Sequence, residues 1–262
     1  MQFNNVLMIV DMQNDFCMPD GTLYIPGAEN DLKRTASFIK QNINNIDHII
    51  LTQDNHQVID ISHPYFWEDK NGNHPEPLTQ ISTEDIENEI WIPRFEVSKA
   101  KNYVRNLEKK GEFPHIVWPE HCIQGSRGAA FTDVIMHEVI EWARQGKHYE
   151  MVVKGTNPLT EHFGVLRANI PIEKNAETQL NTRLLSTLRK YNNILIAGEA
   201  KSHCVANTVK QLLEYSDIPG KITLLQDCMS NVPGMEHIAD SIYSEAKKAG
   251  VVFRNSTDIN LN

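Results

Sequence analysis

Six short runs rich in Val, Ile and Leu constrain this chain most: "VLMIV" (Val6 to Val10), "HIILT" (His48 to Thr52), "YEMVVK" (Tyr149 to Lys154), "NILIAG" (Asn193 to Gly198), "KITLLQD" (Lys221 to Asp227) and "VVF" (Val251 to Phe253). They have the length of strands and little in-out alternation, as expected of strands covered on both faces. Between most of them lie stretches of helical periodicity, at Asn30 to Gln41, Phe131 to Arg144, Thr178 to Arg189, Val205 to Tyr215 and Met235 to Lys248. Strand-helix alternation predicts parallel βαβ units and an α/β fold, a three-layer doubly wound, mostly parallel sheet. One region breaks the rhythm. From Gln57 to Gly111 the chain is rich in Pro, Asn, His and aromatics ("SHPYFWEDKNGNHPEP"), reads as loops with at most one helix, and is too long for an ordinary connection. Residues 1–262 are therefore expected to form one domain with an elaborated insertion at about 57–117.

Composition narrows the function. The chain has 262 residues, 40% of them hydrophobic, enough for a sizeable core. Its formal charge of −9 argues against a nucleic-acid or anionic-membrane surface, both of which need clustered Lys and Arg, and points to a small-molecule partner. The opening "MQFNNVLMIVDMQNDF" has a short apolar run with an acid inside it and no basic leader, so a cytoplasmic protein is expected. Four cysteines, Cys17, Cys122, Cys204 and Cys228, show no CxxC spacing, so each thiol needs its own explanation.

In open α/β sheets ligands bind beyond the carboxyl ends of the strands. The first run ends in Asp11, the second in Asp54 followed by His56, the third in Lys154, and the fourth passes through Gly198 into Cys204. If these strands are neighbours, their ends share one crevice. A buried Cys is usually packing, but Cys204 follows a strand and begins a helical pattern, where backbone N–H groups and the helix dipole lower a thiol's pKa. Lys154 and Asp11 supply the cation and proton acceptor that a thiolate nucleophile needs. Asp54 and His56, two apart on an extended segment, have the spacing of two ligands to one divalent ion, with His63, His74 and His121 available as further donors. Mixed carboxylate and imidazole ligation suits Zn, Fe or Mn. A Cys-His zinc site at His121 and Cys122 is the rival arrangement, and eleven histidines make chance proximity common.

Five segments then resemble, in order, the motifs of the isochorismatase-like cysteine hydrolase superfamily, and within it the nicotinamidases and pyrazinamidases: "IVDMQNDF" (Ile9 to Phe16), "TQDNH" (Thr52 to His56), "WPEHCIQGSRGAAF" (Trp118 to Phe131), "VVKG" (Val152 to Gly155) and "AGEAKSHCV" (Ala197 to Val205). The resemblance implies a catalytic triad of Asp11, Lys154 and Cys204. It also implies a cis peptide bond between Glu199 and Ala200, and an oxyanion hole formed by the Ala200 and Cys204 N–H groups. It assigns the metal to Asp54, His56 and His121, with His63 as an extra ligand that differs among members, and substrate contacts to Phe16, Leu23 and Trp118. The implied activity is metal-dependent hydrolysis of nicotinamide through a Cys204 thioester, with the metal either anchoring the pyridine nitrogen or holding the hydrolytic water. The alternative within the superfamily is another small amide, ureido or carbamoyl substrate; a homo-oligomer is implied in either case. Two departures stand out: the long insertion, and Ser202, where relatives commonly carry an acid. Outside this chemistry, a non-catalytic binding protein that keeps the fold and a redox thiol centred on Cys204 are the competing classes.

Overall fold

Apolar runs with no polar face have to be buried on both sides, and the computed structural model, which describes residues 4–261, shows how. The strands are β1 (Asn5–Val10), β2 (His48–Asp54), β3 (Trp67–Glu68), β4 (Ile92–Pro93), β5 (Glu150–Lys154), β6 (Asn193–Gly198), β7 (Ile222–Leu225) and β8 (Val252–Arg254). Six of them form one sheet in the order β5-β2-β1-β6-β7-β8, every neighbouring pair parallel, while β3 and β4 form a separate antiparallel pair. Along β1, Leu7 and Ile9 enter one core and Val6, Met8 and Val10 the other, so alternate residues of one apolar run serve two layers.

The helices are α1 (Asn14–Cys17), α2 (Ala28–Gln41), α3 (Thr83–Glu87), α4 (Val97–Lys110), α5 (Asp133–Ala143), α6 (Thr182–Leu188), α7 (Ala206–Leu213) and α8 (Asp240–Lys248). Leu32 and Phe38 of α2 and Val139 and Trp142 of α5 fill the first core; Leu184 of α6, Val209 of α7 and Ile242 of α8 fill the second. These are the three layers that the sequence predicts. Among the described residues, no helix is long and apolar enough to cross a membrane.

Three differences from the sequence reading have physical causes. Strand β5 is the sheet edge, so Met151 and Val153 are 46% and 45% exposed rather than covered. Helix α6 starts at Thr182 and not at Thr178, because Asn181 caps it by accepting from the Leu184 N–H at 2.9 Å. The region read as loops with at most one helix holds two helices, α3 and α4, and the β3-β4 pair, around a small core of Phe66, Trp67, Ile86, Tyr103, Val104 and Leu107. Leu159 and Ile170, from the stretch after Lys154, pack onto that core.

His115 is buried in this insertion, its ring 5.3 Å from Trp67 and 5.6 Å from Tyr103. Burial lowers its pKa to about 4, against about 6.5 in an unfolded chain. As pH falls below about 6.5 the unfolded chain gains a proton that the folded ring refuses, so stability present above that pH is lost progressively toward pH 4. Urea unfolding is expected to show a loss of about 2 kcal/mol from this group between pH 7 and pH 5. A His115→Phe variant should lose correspondingly less over the same interval.

Candidate active site

Because the strands are parallel and neighbouring, their carboxyl ends finish together: Val10 is level with Gly198, and Asp54 with Lys154. Two glycines permit this crowding. Gly198 has a φ of +134°, and a Cβ there would stand 2.0 Å from the Val10 carbonyl oxygen; at Gly155, with a φ of +73°, it would stand 2.4 Å from Asp54 Oδ1. The Glu199–Ala200 peptide is cis, as the resemblance implies.

Asp11 leaves β1 with a φ of +46° and is clamped by β2: its N–H donates to Thr52 Oγ1 at 3.1 Å, and the Thr52 hydroxyl donates to Asp11 Oδ1 at 2.5 Å. Lys154 reaches over from β5, its Nζ 2.7 Å from Asp11 Oδ2, 3.3 Å from Asp54 Oδ1 and 3.6 Å from Cys204 Sγ. Ligand atoms of Asp11, Asp54 and Cys204 lie within 4.8 Å of one another. Burial works against the Lys154 cation, but Asp11 and Asp54 outweigh it and hold its pKa well above the ordinary value. Burial also raises the Asp11 carboxyl above its usual range, against the pull of Lys154.

The thiol departs from expectation. Cys204 is not at the first turn of a helix but on a π-helical turn, Lys201–Val205, that leads into α7. Burial pushes its pKa well above the ordinary value; Lys154 lowers it, while Asp11 and Asp54 raise it. The resting group is a neutral thiol beside an ammonium, not a preformed thiolate.

The second constellation adjoins the first through Asp54. Ligand atoms of Asp54, His56 and His121 lie within 4.8 Å of one another, and the His63 ring sits 5.2 Å from both imidazoles without joining that set. In each ring Nδ1 is engaged: His56 with Asp60 Oδ2 at 3.1 Å, His121 with the Pro119 carbonyl at 2.9 Å and His63 with the Val58 carbonyl at 3.3 Å. The Nε2 of His63 is buried without a hydrogen-bond partner, while that of His56 faces Asp54 Oδ2 at 3.3 Å. Against the cost of burial, Asp54 and Asp60 hold the His56 pKa well above its ordinary value. Burial, with His56 and His63 beside it, pushes His121 well below its ordinary pKa, so it is neutral as ligation requires. Imidazoles with Nδ1 tied back, grouped around a carboxylate, fit a divalent cation, which would take the place of the His56 proton.

The rivals are not assembled. His74 turns away, its Nδ1 2.7 Å from the Trp67 carbonyl, and Cys122 packs in the core while its N–H donates to Asp15 Oδ2 at 2.7 Å.

Between the constellations opens a cleft of about 340 Å³ of empty space, its open mouth included. Phe16, Leu23 and Trp118 line it, with Asp54, His121, Ala200 and Cys204. Sequence reasoning missed Thr52, Asp60 and His203 as parts of the site. Asp60 had a signal, standing four residues after His56 in "HQVID", whereas Thr52 and His203 act only through contacts that the fold creates.

No family model matches the chain. It is 23% identical to the nicotinamidase of Saccharomyces cerevisiae over 244 residues, 92% of this chain and 94% of that protein. To the nicotinamidase of Escherichia coli it is 21% identical over 255 residues, 96% and 95% of the two chains. Among solved structures, the yeast nicotinamidase bound to the inhibitor nicotinaldehyde matches with a TM-score of 0.68 at 22% identity, covering 96% of this chain and 99% of that one. A Pyrococcus horikoshii pyrazinamidase in complex with zinc matches with a TM-score of 0.56 at 18% identity, covering 96% and 99%. The chain shares the fold of these hydrolases and is similar in sequence to nicotinamidases along most of its length. The segments that resemble the superfamily's motifs converge here, and the Asp11, Lys154 and Cys204 named by that resemblance are found close together.

Asp60 orients His56 and anchors itself through the Ser62 N–H at 3.0 Å and the Ser62 hydroxyl at 2.8 Å. If Asp54, His56 and His121 hold a divalent ion, Asp60→Ala is expected to weaken its binding by about 10–100-fold, with zinc as the probe. Competition against a chromophoric chelator measures this without reference to turnover.

Proposed function

We propose that this chain is a metal-dependent nicotinamidase, hydrolysing nicotinamide to nicotinate and ammonia through a thioester on Cys204. Hydrolysis of an amide C–N bond is the chemistry of its relatives and of this chain. The observation that carries the reading is the Lys154 ammonium held 2.7 Å from Asp11 and 3.6 Å from Cys204, the thiol that lines an aromatic-walled cleft. Phe16 and Trp118 favour a planar ring, and the cleft brings that ring's amide to the thiol.

Asp11, whose raised pKa makes it a stronger base than an ordinary carboxylate, takes the Cys204 proton as Sγ attacks the amide carbonyl carbon. Lys154 stays charged throughout and offsets the negative charge passing between Sγ and Asp11. The tetrahedral oxyanion accepts hydrogen bonds from the Ala200 and Cys204 N–H groups. Asp11 returns its proton to the departing nitrogen, the C–N bond breaks, and ammonia leaves a thioester. Water, deprotonated by Asp11, then attacks the same carbon; the C–S bond breaks, and the proton restores the Cys204 thiol. Asp54, His56 and His121 would hold the metal, with His63 as an additional ligand. A bound divalent ion supplies a Lewis acid beside the cleft, where Zn, Fe and Mn are the chemically matched choices.

Purified protein should release ammonia from nicotinamide, and Cys204→Ala should lower the rate at least about 10³-fold. Asp11→Asn should do the same while leaving the fold intact by circular dichroism. Stripping the metal should suppress turnover, and restoring zinc, iron or manganese separately should identify the working ion. A folded protein whose Cys204 is alkylated by iodoacetamide but which leaves nicotinamide untouched would overturn this substrate assignment.

A further inference from the structure

His203 precedes the nucleophile and has no part in the steps above, yet it lines the cleft beside Ala200 and Cys204 and is only 3% exposed. Its ring is wedged among three aromatics, with centroids 5.1 Å from Trp118 and 5.6 Å from both Phe163 and Phe113. Packing therefore fixes its orientation. One nitrogen, Nδ1, lies 2.9 Å from Ser202 Oγ; the other, Nε2, is buried with no hydrogen-bond partner. Burial holds the imidazole's pKa down to about 4, so near neutral pH the ring carries a single proton. Whether Nε2 is a donor or an acceptor depends on which nitrogen bears it.

Ser202 decides between them. Its Oγ accepts the Val232 N–H at 3.1 Å, and among the described residues His203 Nδ1 is the only other polar atom paired with it. If Nδ1 carried the proton, it would donate to Oγ and the buried hydroxyl hydrogen would have no acceptor. If Nδ1 is bare, the hydroxyl donates to it while its oxygen accepts from Val232, and the buried hydroxyl is satisfied. We propose that Ser202 fixes His203 as the Nε2–H tautomer, and that His203 donates this hydrogen bond to an acceptor on the bound aromatic amide, making it a specificity-determining residue. An acid at position 202 would do the opposite: a carboxylate accepts from Nδ1–H and leaves Nε2 as an acceptor. The cleft is thereby matched to amides that present a ring nitrogen or carbonyl oxygen at this point, and mismatched to those presenting an N–H or O–H. The substrate half of this inference rests on the amidase reading; the tautomer does not.

Long-range ¹H–¹⁵N correlation spectra of the metal-loaded protein separate protonated from bare ring nitrogens, and the His203 signals are those missing from a His203→Gln variant. The expected spectrum has the proton on Nε2, moving to Nδ1 in Ser202→Asp; a proton on Nδ1 in the unaltered protein overturns the proposal even if nicotinamide is hydrolysed. In kinetics, His203→Leu should raise KM for nicotinamide about five- to tenfold with kcat within about twofold, the loss of one neutral hydrogen bond. His203→Gln, which offers a donor near the same place, should recover most of it. The same penalty with benzamide identifies the carbonyl as the acceptor, and a penalty confined to nicotinamide identifies the ring nitrogen. An unchanged KM in His203→Leu overturns the substrate contact. Failure of the unaltered protein to hydrolyse nicotinamide overturns the activity assignment instead, and leaves the tautomer to the spectrum.

Discussion

The Lys154 ammonium, buried between Asp11 and Asp54, is the interaction on which the rest of the site depends. Burying one lysine alone would neutralise it, and burying two carboxylates side by side would protonate one of them. Together they leave one negative charge in excess, and that excess has direction. Asp54 faces Lys154 with Oδ1 at 3.3 Å and His56 Nε2 with Oδ2 at 3.3 Å, so a single carboxylate joins the nucleophile's network to the metal cluster. A dication on the Asp54–His56–His121 side answers the surplus that the lysine leaves.

This arrangement is a product of sheet order. Strands β5, β2, β1 and β6 lie side by side and run in parallel, so the first polar residue after each apolar run falls at the same edge. The middle of each strand then serves packing, while the ionisable groups of the site stand at the carboxyl ends. Glycine at 155 and 198 keeps side-chain bulk away from the Asp54 carboxylate and from the β1 backbone. The insertion contributes from above: Trp118 follows directly on it, Phe113 within it packs against His203, and Lys210 on α7 pairs with Glu112 at 2.8 Å. An element that sequence alone marks as an interruption therefore forms part of the wall beside the nucleophile.

What the sequence makes legible follows from the same physics. Strand runs of β-branched and aliphatic residues announce themselves, and the residue after each is read by position, which is why Asp11, Lys154, Asp54 and His56 are found without a structure. Helix α4 is harder: Ala100, Tyr103, Val104 and Leu107 make a helical stripe, but lysines and asparagines dilute it and its packing partners are distant in sequence. The roles of Thr52 and Ser202 are illegible for another reason. Each acts by holding a second residue's proton or orientation, a role with no signature of residue type or spacing.

The thiol shows most clearly where local reasoning fails. A position near the start of a helix suggests a lowered pKa, because helix termini are judged by their own dipole and exposure. In the folded chain, removal from water and two nearby carboxylates outweigh the dipole and the single ammonium, and Cys204 stays protonated. That is chemically apt for a group meant to attack only a bound amide. A standing thiolate beside four potential metal ligands would compete for the ion and be open to oxidation. A neutral thiol next to a base of raised pKa releases its proton only when an electrophilic carbonyl is there to receive the electron pair. The same burial that keeps Cys204 inert at rest lets Lys154 and Asp11 act on it at full strength once the cleft is closed by substrate.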